Sequence, residues 1–390
     1  MQGTETRNVD SPLMRQAGKE LLSLALMDAR NHSLRWFAAL EGVPGAAAWE
    51  LGHAGWFQEH WIARNLQRQR GERCDATHPK LAPILPGADA LFAENRGALL
   101  PDAQTIRQYL VDTLEMTLEL LDGAAEDDDA LYFYRLALLR EDALVERFAV
   151  QAQTLGVDTG LLAAIPARPP RQPLLMPAMR WPLGSAPGGL VFDNEKWAHE
   201  VALPEFEIDA QAVSWAQYLE FVEDGGYDDK RHWTDAGWAW VQGSGRRTPR
   251  HVDQMRQGVL QRRFGKPMRV PLTHAAVHLS WFEADAWCRW AGRRLPGEAE
   301  WEVAAVRGAT QGFRWGEVRE WTAGTLRPYP GFTGASPGQP GDEAAPGGDA
   351  LRVLRGASFA TRGRLRAEKV RSAERPAHDE GFCGFRSCAF

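Results

Sequence analysis

Apolar residues recur at helical spacing through most of the chain between residues 12 and 157. Four segments carry the pattern: ELLSLALMDARNHSLRWFAAL (20–40), AAWELGHAGWFQEHWIARNLQRQ (47–69), DAQTIRQYLVDTLEMTLELLDG (102–123) and DDALYFYRLALLREDALVERFAVQAQTLG (128–156). Asp102 and Asp128 are predicted N-caps, and Gly123 and Gly156 are predicted helix ends. With one long connection at residues 70–101, the pattern predicts a four-helix bundle.

The helical pattern stops where proline becomes frequent. Seven prolines lie between residues 166 and 187, and proline removes a backbone donor and fixes φ. Residues 161–189 are therefore predicted to be an extended linker. Beyond it, short β-like runs and many glycines surround a cluster of tryptophans, with 12 of the 16 between residues 181 and 321. Residues 190–390 are predicted to form a loop-rich α+β domain with an aromatic core.

Composition narrows the class of protein. A net charge of −6 over 390 residues argues against a general nucleic-acid surface. No apolar run reaches bilayer length, and the N-terminus has no secretory h-region, so no membrane partner is predicted and a cytoplasmic location is expected. The four cysteines are too scattered for a disulfide framework. Cys383 and Cys388 could bind a soft metal, but two ordinary thiols are the preferred interpretation.

Several motifs resemble a known family. In the second half they are FDNEKWAHEVALPEFEIDAQAVSWAQYLEFVEDGGY, VHLSWFEADAWCRWAGRRLPGEAEWEVAA, REWTAGTLRPYPGF, RVLRGASFATR and GFCGFRSC. This series resembles the formylglycine-generating-enzyme (sulfatase-modifying-factor) domain, a variant of the C-type lectin fold. DARNHSLRW, WELGHAGWFQEHWIARN and RGERCDATHPKLAPILPGAD in the first half resemble the DinB-like four-helix bundle that precedes this domain in one subgroup.

That subgroup contains the nonheme iron sulfoxide synthases of ergothioneine and ovothiol biosynthesis, and the bacterial selenoneine synthases look most similar. The resemblance implies an α+β chain with a DinB-like bundle at residues 1–160, the linker at 161–189 and a formylglycine-generating-enzyme-like domain at 190–390. It also implies Fe(II), O₂ and a small-molecule substrate pair, a histidine betaine such as hercynine and a thiol or selenol.

The iron ligands of the family are three histidines in the bundle. His53 matches the first, in a G-H-x-x-W-F setting. The other two belong to an H-E-x-x-H-x-E pattern, where this chain has Arg140 and Leu144. No histidine lies between His78 and His199, so no shift of alignment supplies the missing imidazoles.

Two interpretations of His53 remain open. It could bind iron with a carboxylate such as Glu141, since two histidines and one carboxylate suit Fe(II), or it could be a bundle histidine bonded to a neighbour. In the second case, Leu144 fills the former metal position and Arg140 pairs with a carboxylate, with Glu59 and Glu141 as the nearest candidates.

Other family features are also altered. The interval TGASPGQPGDEAAPGGDALR has no aromatic residue, where the family carries a catalytic tyrosine. Tyr329 is the nearest phenol and the candidate catalytic residue. The family's R-N-(aromatic) substrate segment is replaced by Arg371-Ser372-Ala373. The substrate-contact positions implied by the resemblance are Glu320, Trp321, Ser372, Glu374 and Arg386.

Two hypotheses of function follow. The first is an iron- and O₂-dependent enzyme that forms a C–S or C–Se bond on hercynine. The second is a metal-free homologue that uses the inherited interdomain cleft to bind a small molecule or a partner protein. Calcium could bind the acidic loops EDGGYDD and PGDEAAPGGD, although solvated loops are the default interpretation.

Overall fold

The computed structural model describes residues 8–43, 47–93, 99–166, 169–339 and 350–390. Its helices are α1 (Lys19–Ala39), α2 (Ala48–Gln58), α3 (Ala88–Phe92), α4 (Ala103–Asp122), α5 (Asp128–Leu155), α6 (Trp215–Glu223), α7 (Asp235–Ser244), α8 (Trp281–Trp290) and α9 (Glu298–Arg307). None of these described helices is both long enough and apolar enough to cross a bilayer.

The four long N-terminal helices were predicted from their apolar periodicity, and they pack against one another. α1 and α2 each contact α4 and α5, and α5 is buried along most of its length. Asp102 caps α4 as predicted, and α4 and α5 end at Gly123 and Gly156. The cap of α5 is Asp127 and not Asp128, because Asp128 instead binds Arg135.

The second helix is shorter than its apolar pattern predicted. α2 ends at Gln58 and continues as one π-helical turn, Glu59–Ala63. The chain then turns away because Arg64 binds the carbonyl of Leu81 and the carboxylate of Asp89. The long connection 70–101 therefore lies against the helices, held by ion pairing and hydrogen bonds.

The remaining chain forms small sheets around an aromatic core. The strands are β1 (Leu174–Met176), β2 (Met179–Leu183), β3 (His199–Leu203), β4 (Phe206–Ile208), β5 (Val252–Met255), β6 (Val259–Arg263), β7 (Lys266–Arg269), β8 (Arg319–Thr325), β9 (Arg352–Arg355), β10 (Arg371–Glu374) and β11 (Cys383–Phe385). The largest described sheet has the order β10-β9-β8-β11, in which only β11 and β8 are parallel. This mixture of helix and sheet agrees with the predicted α+β class.

The predicted linker at residues 161–189 is wrong in part. β1 and β2 lie inside it and pair antiparallel with β4 and β3. Both sheets have only two strands, so each of these strands is an edge strand. Proline is tolerated there, because an edge strand leaves some backbone N–H groups unpaired. The second structural unit therefore begins near residue 174, ahead of the predicted boundary.

Candidate functional site

His53 lies on α2 with its ring held on three sides. Nδ1 is 2.7 Å from the carbonyl oxygen of Phe92, and the ring stacks between Trp49 and Trp56 at centroid distances of 4.9 and 5.4 Å. A carbonyl only accepts hydrogen bonds, so Nδ1 carries the proton and the tautomer is set. Backbone carbonyls orient metal-binding histidines in the same way, so this geometry alone is compatible with a ligand role.

Arg140 and Leu144 lie one turn apart on α5, and neither side chain is a metal donor. The Arg140 guanidinium stacks over the Phe57 ring at 4.3 Å, and Nη1 is 3.5 Å from the carbonyl of Gly338. Burial, with the charge of Arg147, lowers the pKa of Arg140 to about 10. Leu144 is only 3% exposed and belongs to the apolar core, as expected for a residue that fills volume.

Neither of the two candidate partners predicted for Arg140, Glu59 and Glu141, is paired with it. Within the described ranges, no carboxylate forms an ion pair with Arg140. Glu59 instead accepts hydrogen bonds from the Tyr109 hydroxyl and the backbone N–H of Ile84, each at 2.6 Å. Glu141 points away from Arg140 into the helical core, since successive helical residues project about 100° apart.

The α5 segment, residues 140–146, contains three carboxylates, and each accepts short hydrogen bonds from an arginine. Glu141 accepts from Arg30 Nε at 2.8 Å and from Ser33 Oγ at 2.6 Å. Asp142 accepts from Arg364 at 2.5 and 3.0 Å. Glu146 accepts from four groups of the second half of the chain: Arg319 Nε and Nη2, Ser358 Oγ and Thr361 Oγ1, at 2.6–2.9 Å.

These contacts test whether the segment fits Fe(II). His53 is placed as a ligand would be, but a carboxylate ligand would first have to give up an arginine partner inside the protein, which is costly. In the part of the chain that the structure describes, no group of three His, Cys, Asp or Glu side chains is arranged to hold a metal ion. The residues present do not fit the iron site that the family resemblance implies.

Tyr329, the candidate catalytic phenol, is buried among residues of the second half. Its hydroxyl donates to Glu298 Oε2 at 2.9 Å, and Arg371 stacks over the ring at 4.2 Å. Burial and the negative charge of Glu298 raise the pKa of Tyr329. A phenol with a raised pKa and a carboxylate acceptor stays protonated at neutral pH. Its catalytic role stays a prediction.

Three of the predicted substrate contacts lie in the core. Glu320 accepts from Arg386 at 2.5 and 2.7 Å and from Trp301 Nε1 at 2.8 Å. The indole N–H of Trp321 donates to the carbonyl of Leu279 at 2.7 Å. All three side chains are at most 1% exposed, and the contacts that the structure shows for them are structural.

Glu374 differs from that group because it lines an open cavity, whereas Ser372, two residues before it on β10, is not one of the lining residues. The cavity, called the Glu374 cavity below, has a volume of about 450 Å³ and is lined by Leu351, Ala373, Glu374, Arg375, Ala377, His378, Asp379 and Glu380. Glu374 is half exposed, with Oε2 4.0 Å from His378 Nδ1. Arg319 links β10 to α5 because it donates to both Ser372 and Glu146.

The cysteines and acidic loops do not form the metal sites considered from the sequence. Cys383 and Cys388 are buried free thiols in different surroundings, and burial raises the pKa of both. Glu374 and Glu146 lie near Cys383, whereas Glu300 and Arg294 lie near Cys388. In EDGGYDD, the side chains of the four acidic residues already have protein partners. The loop PGDEAAPGGD lies outside the described residues.

Sequence reasoning missed the arginines that join the two halves of the chain. Arg319 and Arg364 reach α5 from β8 and from the loop after β9. Both lie within motifs used for the family resemblance, or next to them, but an arginine in a motif does not reveal which distant carboxylate it binds. The signal in the sequence was the group of acidic residues Glu141, Asp142 and Glu146 in the middle of a helix with a long apolar stripe.

Comparisons with known proteins agree with this architecture. The profile of the Sulfatase-modifying factor enzyme 1-like domain matches residues 169–317. The chain is 29% identical to the hercynine oxygenase of Mycolicibacterium thermoresistibile, with 94% of each chain covered. It is 30% identical to the hercynine oxygenase of Mycolicibacterium smegmatis, covering 87% of this chain and 89% of the relative. A formylglycine-generating enzyme from Streptomyces coelicolor is 34% identical, over 38% of this chain and 52% of the relative.

The domain profile matches a part of the chain that begins just before β1, whereas the hercynine oxygenases match across the helices as well. Similarity at this level over nearly the full length of both proteins cannot come from the shared domain alone. The chain belongs to the hercynine oxygenase family.

Proposed function

We propose that this protein binds a small imidazole betaine of the hercynine class and does not carry out iron-dependent oxygenation of it. Family membership supports the ligand class, because the relatives that match over the full length are named for hercynine. The observation that carries the proposal is the α5 segment. Arg140 and Leu144 offer no metal donor, and Glu141, Asp142 and Glu146 are already paired.

The Glu374 cavity is the proposed binding site. Hercynine carries a trimethylammonium group, which favours surroundings with negative charge. Glu374, Asp379 and Glu380 supply three carboxylates against one lining cation, Arg375, and Glu380 lies 3.5 Å from Arg250. Asp379 is engaged by Arg246 and Arg250, whereas Glu374 is half exposed at the rim. A volume of about 450 Å³ is in the usual range for a small-molecule site.

The chain's own residues suit binding and orientation. Glu374 would attract the cationic end of the ligand, and the hydrogen bond from Arg319 to Ser372 would hold β10, the strand that carries Glu374, in place. Tyr329, whose hydroxyl already donates to Glu298, is assigned no proton transfer in this proposal.

Titration calorimetry with hercynine tests the proposal. Wild-type protein treated with chelator should bind hercynine as well as untreated protein does. The Glu374→Gln variant should bind hercynine about fivefold more weakly, because it loses a partly exposed charge contact that contributes about 1 kcal/mol. Glu200→Gln is the matched control, since Glu200 is an exposed carboxylate on β3, paired with Arg180. Absence of hercynine binding to wild-type protein would contradict the proposal.

A second candidate function is the activity implied by the selenoneine-synthase resemblance, C–S or C–Se bond formation on hercynine with Fe(II) and O₂. The orientation of His53 by the Phe92 carbonyl favours it. The test is incubation of iron-reconstituted protein with hercynine, O₂ and a thiol or selenol, followed by mass spectrometry. A product that forms with wild-type protein and not with His53→Ala would support this function over the first.

A further inference from the structure

A small, partly enclosed cavity lies where the end of α5 meets β6 and the chain after β7, and it shares no lining residue with the Glu374 cavity. Its volume is about 30 Å³, and its walls include Gln153, Trp215, Arg263, His274, His278 and Phe359. Since one water needs roughly 10–15 Å³ by this measure, the space admits about two or three water-sized groups.

Arg263 supplies the only formal charge among the described residues that line the cavity. None of the described residues that line the cavity is acidic, and none of the ion pairs formed within the described ranges involves Arg263. Its guanidinium lies over the Phe359 ring at 5.1 Å, and burial lowers its pKa. A desolvated cation without an anionic partner is unfavourable, so the cavity attracts negative charge.

The two histidines make the wall polar without adding charge. His278 is only 2% exposed, and within the described ranges its Nδ1 has no hydrogen-bond partner. Burial, then the charge of His251, lowers the pKa of His278 to about 3. Burial and the charge of Arg263 lower the pKa of His274. At neutral pH both rings are neutral, and the site carries a single positive charge.

We infer that this cavity binds the carboxylate group of a small monoanion, with formate and acetate as its simplest forms and Arg263 as the ion-pairing residue. Charge balance favours a monoanion over sulfate or phosphate, and the volume admits little beyond the carboxylate itself. The ligand would lie beside Gln153, which already joins α5 to the β6–β7 hairpin through Arg262 O and Phe264 N. Binding should therefore stabilise the contact between the two halves of the chain.

Thermal unfolding in formate or acetate tests the inference by comparing wild-type protein with the variants Arg263→Gln and Arg262→Gln. Wild-type protein should gain about 2 °C in Tm at tenfold above the dissociation constant, relative to the same ionic strength of sulfate. Arg263→Gln should lose the gain. Arg262→Gln should keep it, because Arg262 is an exposed neighbour paired with Asp253 outside the cavity. An equal gain in all three proteins, or none in wild type, would overturn the inference.

A measurement on wild-type protein keeps the test valid if Arg263→Gln does not fold. The line width of ¹³C-formate should increase in the presence of protein and be restored by excess unlabelled acetate. Unchanged line widths would show that the cavity holds water only, and would overturn the inference. The test involves no hercynine, so its outcome is independent of the proposed function.

Discussion

At the scale of single residues, the α5 segment shows how much a side chain's role depends on its partners. The sequence predicted that Leu144 fills apolar volume, and Leu144 lies in the apolar core. It did not predict that Arg140 would stack on Phe57, because that contact depends on how α2 and α5 face each other. Acidic residues next to Arg140 in the chain are committed to arginines distant in sequence.

Replacement of Arg140, which stacks on a phenyl ring, and of Arg364, which pairs with carboxylates, tests whether the two contacts contribute differently to stability. Arg140→Met should leave the free energy of unfolding within about 1 kcal/mol of wild type, because it loses one cation–π contact and relieves a desolvated charge. Arg364→Met is the matched control, since Arg364 is fully buried and paired with Asp142 and Asp28. It should cost about 3 kcal/mol or more, because it removes the hydrogen-bonded partner of the buried Asp142 carboxylate. Asp142 would keep only the longer ion pair with Arg362, at 3.6 Å. Urea unfolding measures both, and equal losses would contradict the account.

At the scale of elements, the terminal glycines predicted where α4 and α5 end. Apolar periodicity did not predict where α2 ends. The ends of α4 and α5 followed from Gly123 and Gly156. The end of α2 did not, because the π turn at Glu59–Ala63 and the turn that follows depend on long-range bonds to Leu81 and Asp89. The strands β1 and β2 were missed because their prolines suggested an extended linker.

The connection after α2 offers a test of close backbone approach. Gly71 has φ of +52°, and a Cβ there would lie 2.7 Å from the carbonyl oxygen of Asp129 on α5. Gly71→Ala should therefore destabilise the protein by more than about 2 kcal/mol. Gly87→Ala should cost only about 1 kcal/mol, because Gly87 also has positive φ but its Cβ would meet nothing within 4 Å. Similar losses in urea unfolding would contradict this reading of Gly71.

The start of α8 should make stability depend on pH. Glu283 is fully buried in a capping box with Ser280 and also accepts from Tyr227. Burial raises its pKa from 4.5 to about 7. Because the folded state holds the proton more tightly, this stabilising contribution is present below pH 4.5 and is lost as pH rises through about 7.

Glu283→Gln should remove that contribution, since a glutamine can keep the capping box and does not titrate. The measurement is the free energy of unfolding of both proteins from pH 4 to pH 8. The difference, wild type minus variant, should fall as pH rises through the raised pKa. A difference that stays flat, or rises with pH, would contradict the assignment.

At the scale of the whole molecule, α5 joins the two halves of the chain. Asp142 and Glu146 project from one helix to Arg364 and Arg319, which belong to the second half. The sequence predicted two structural units and a family cleft between them, and membership in the hercynine oxygenase family is confirmed. It could not predict that carboxylates beside the expected metal positions hold the units together, because that contact depends on tertiary geometry.

Iron content tests the central claim most directly. Wild-type protein reconstituted anaerobically with Fe(II), then desalted and analysed by mass spectrometry for bound metal, should retain iron well below one atom per chain. The double variant Arg140→His with Leu144→His should retain stoichiometric iron, because two imidazoles one turn apart on α5 would join His53. Stoichiometric iron in wild-type protein, lost in His53→Ala, would contradict the account.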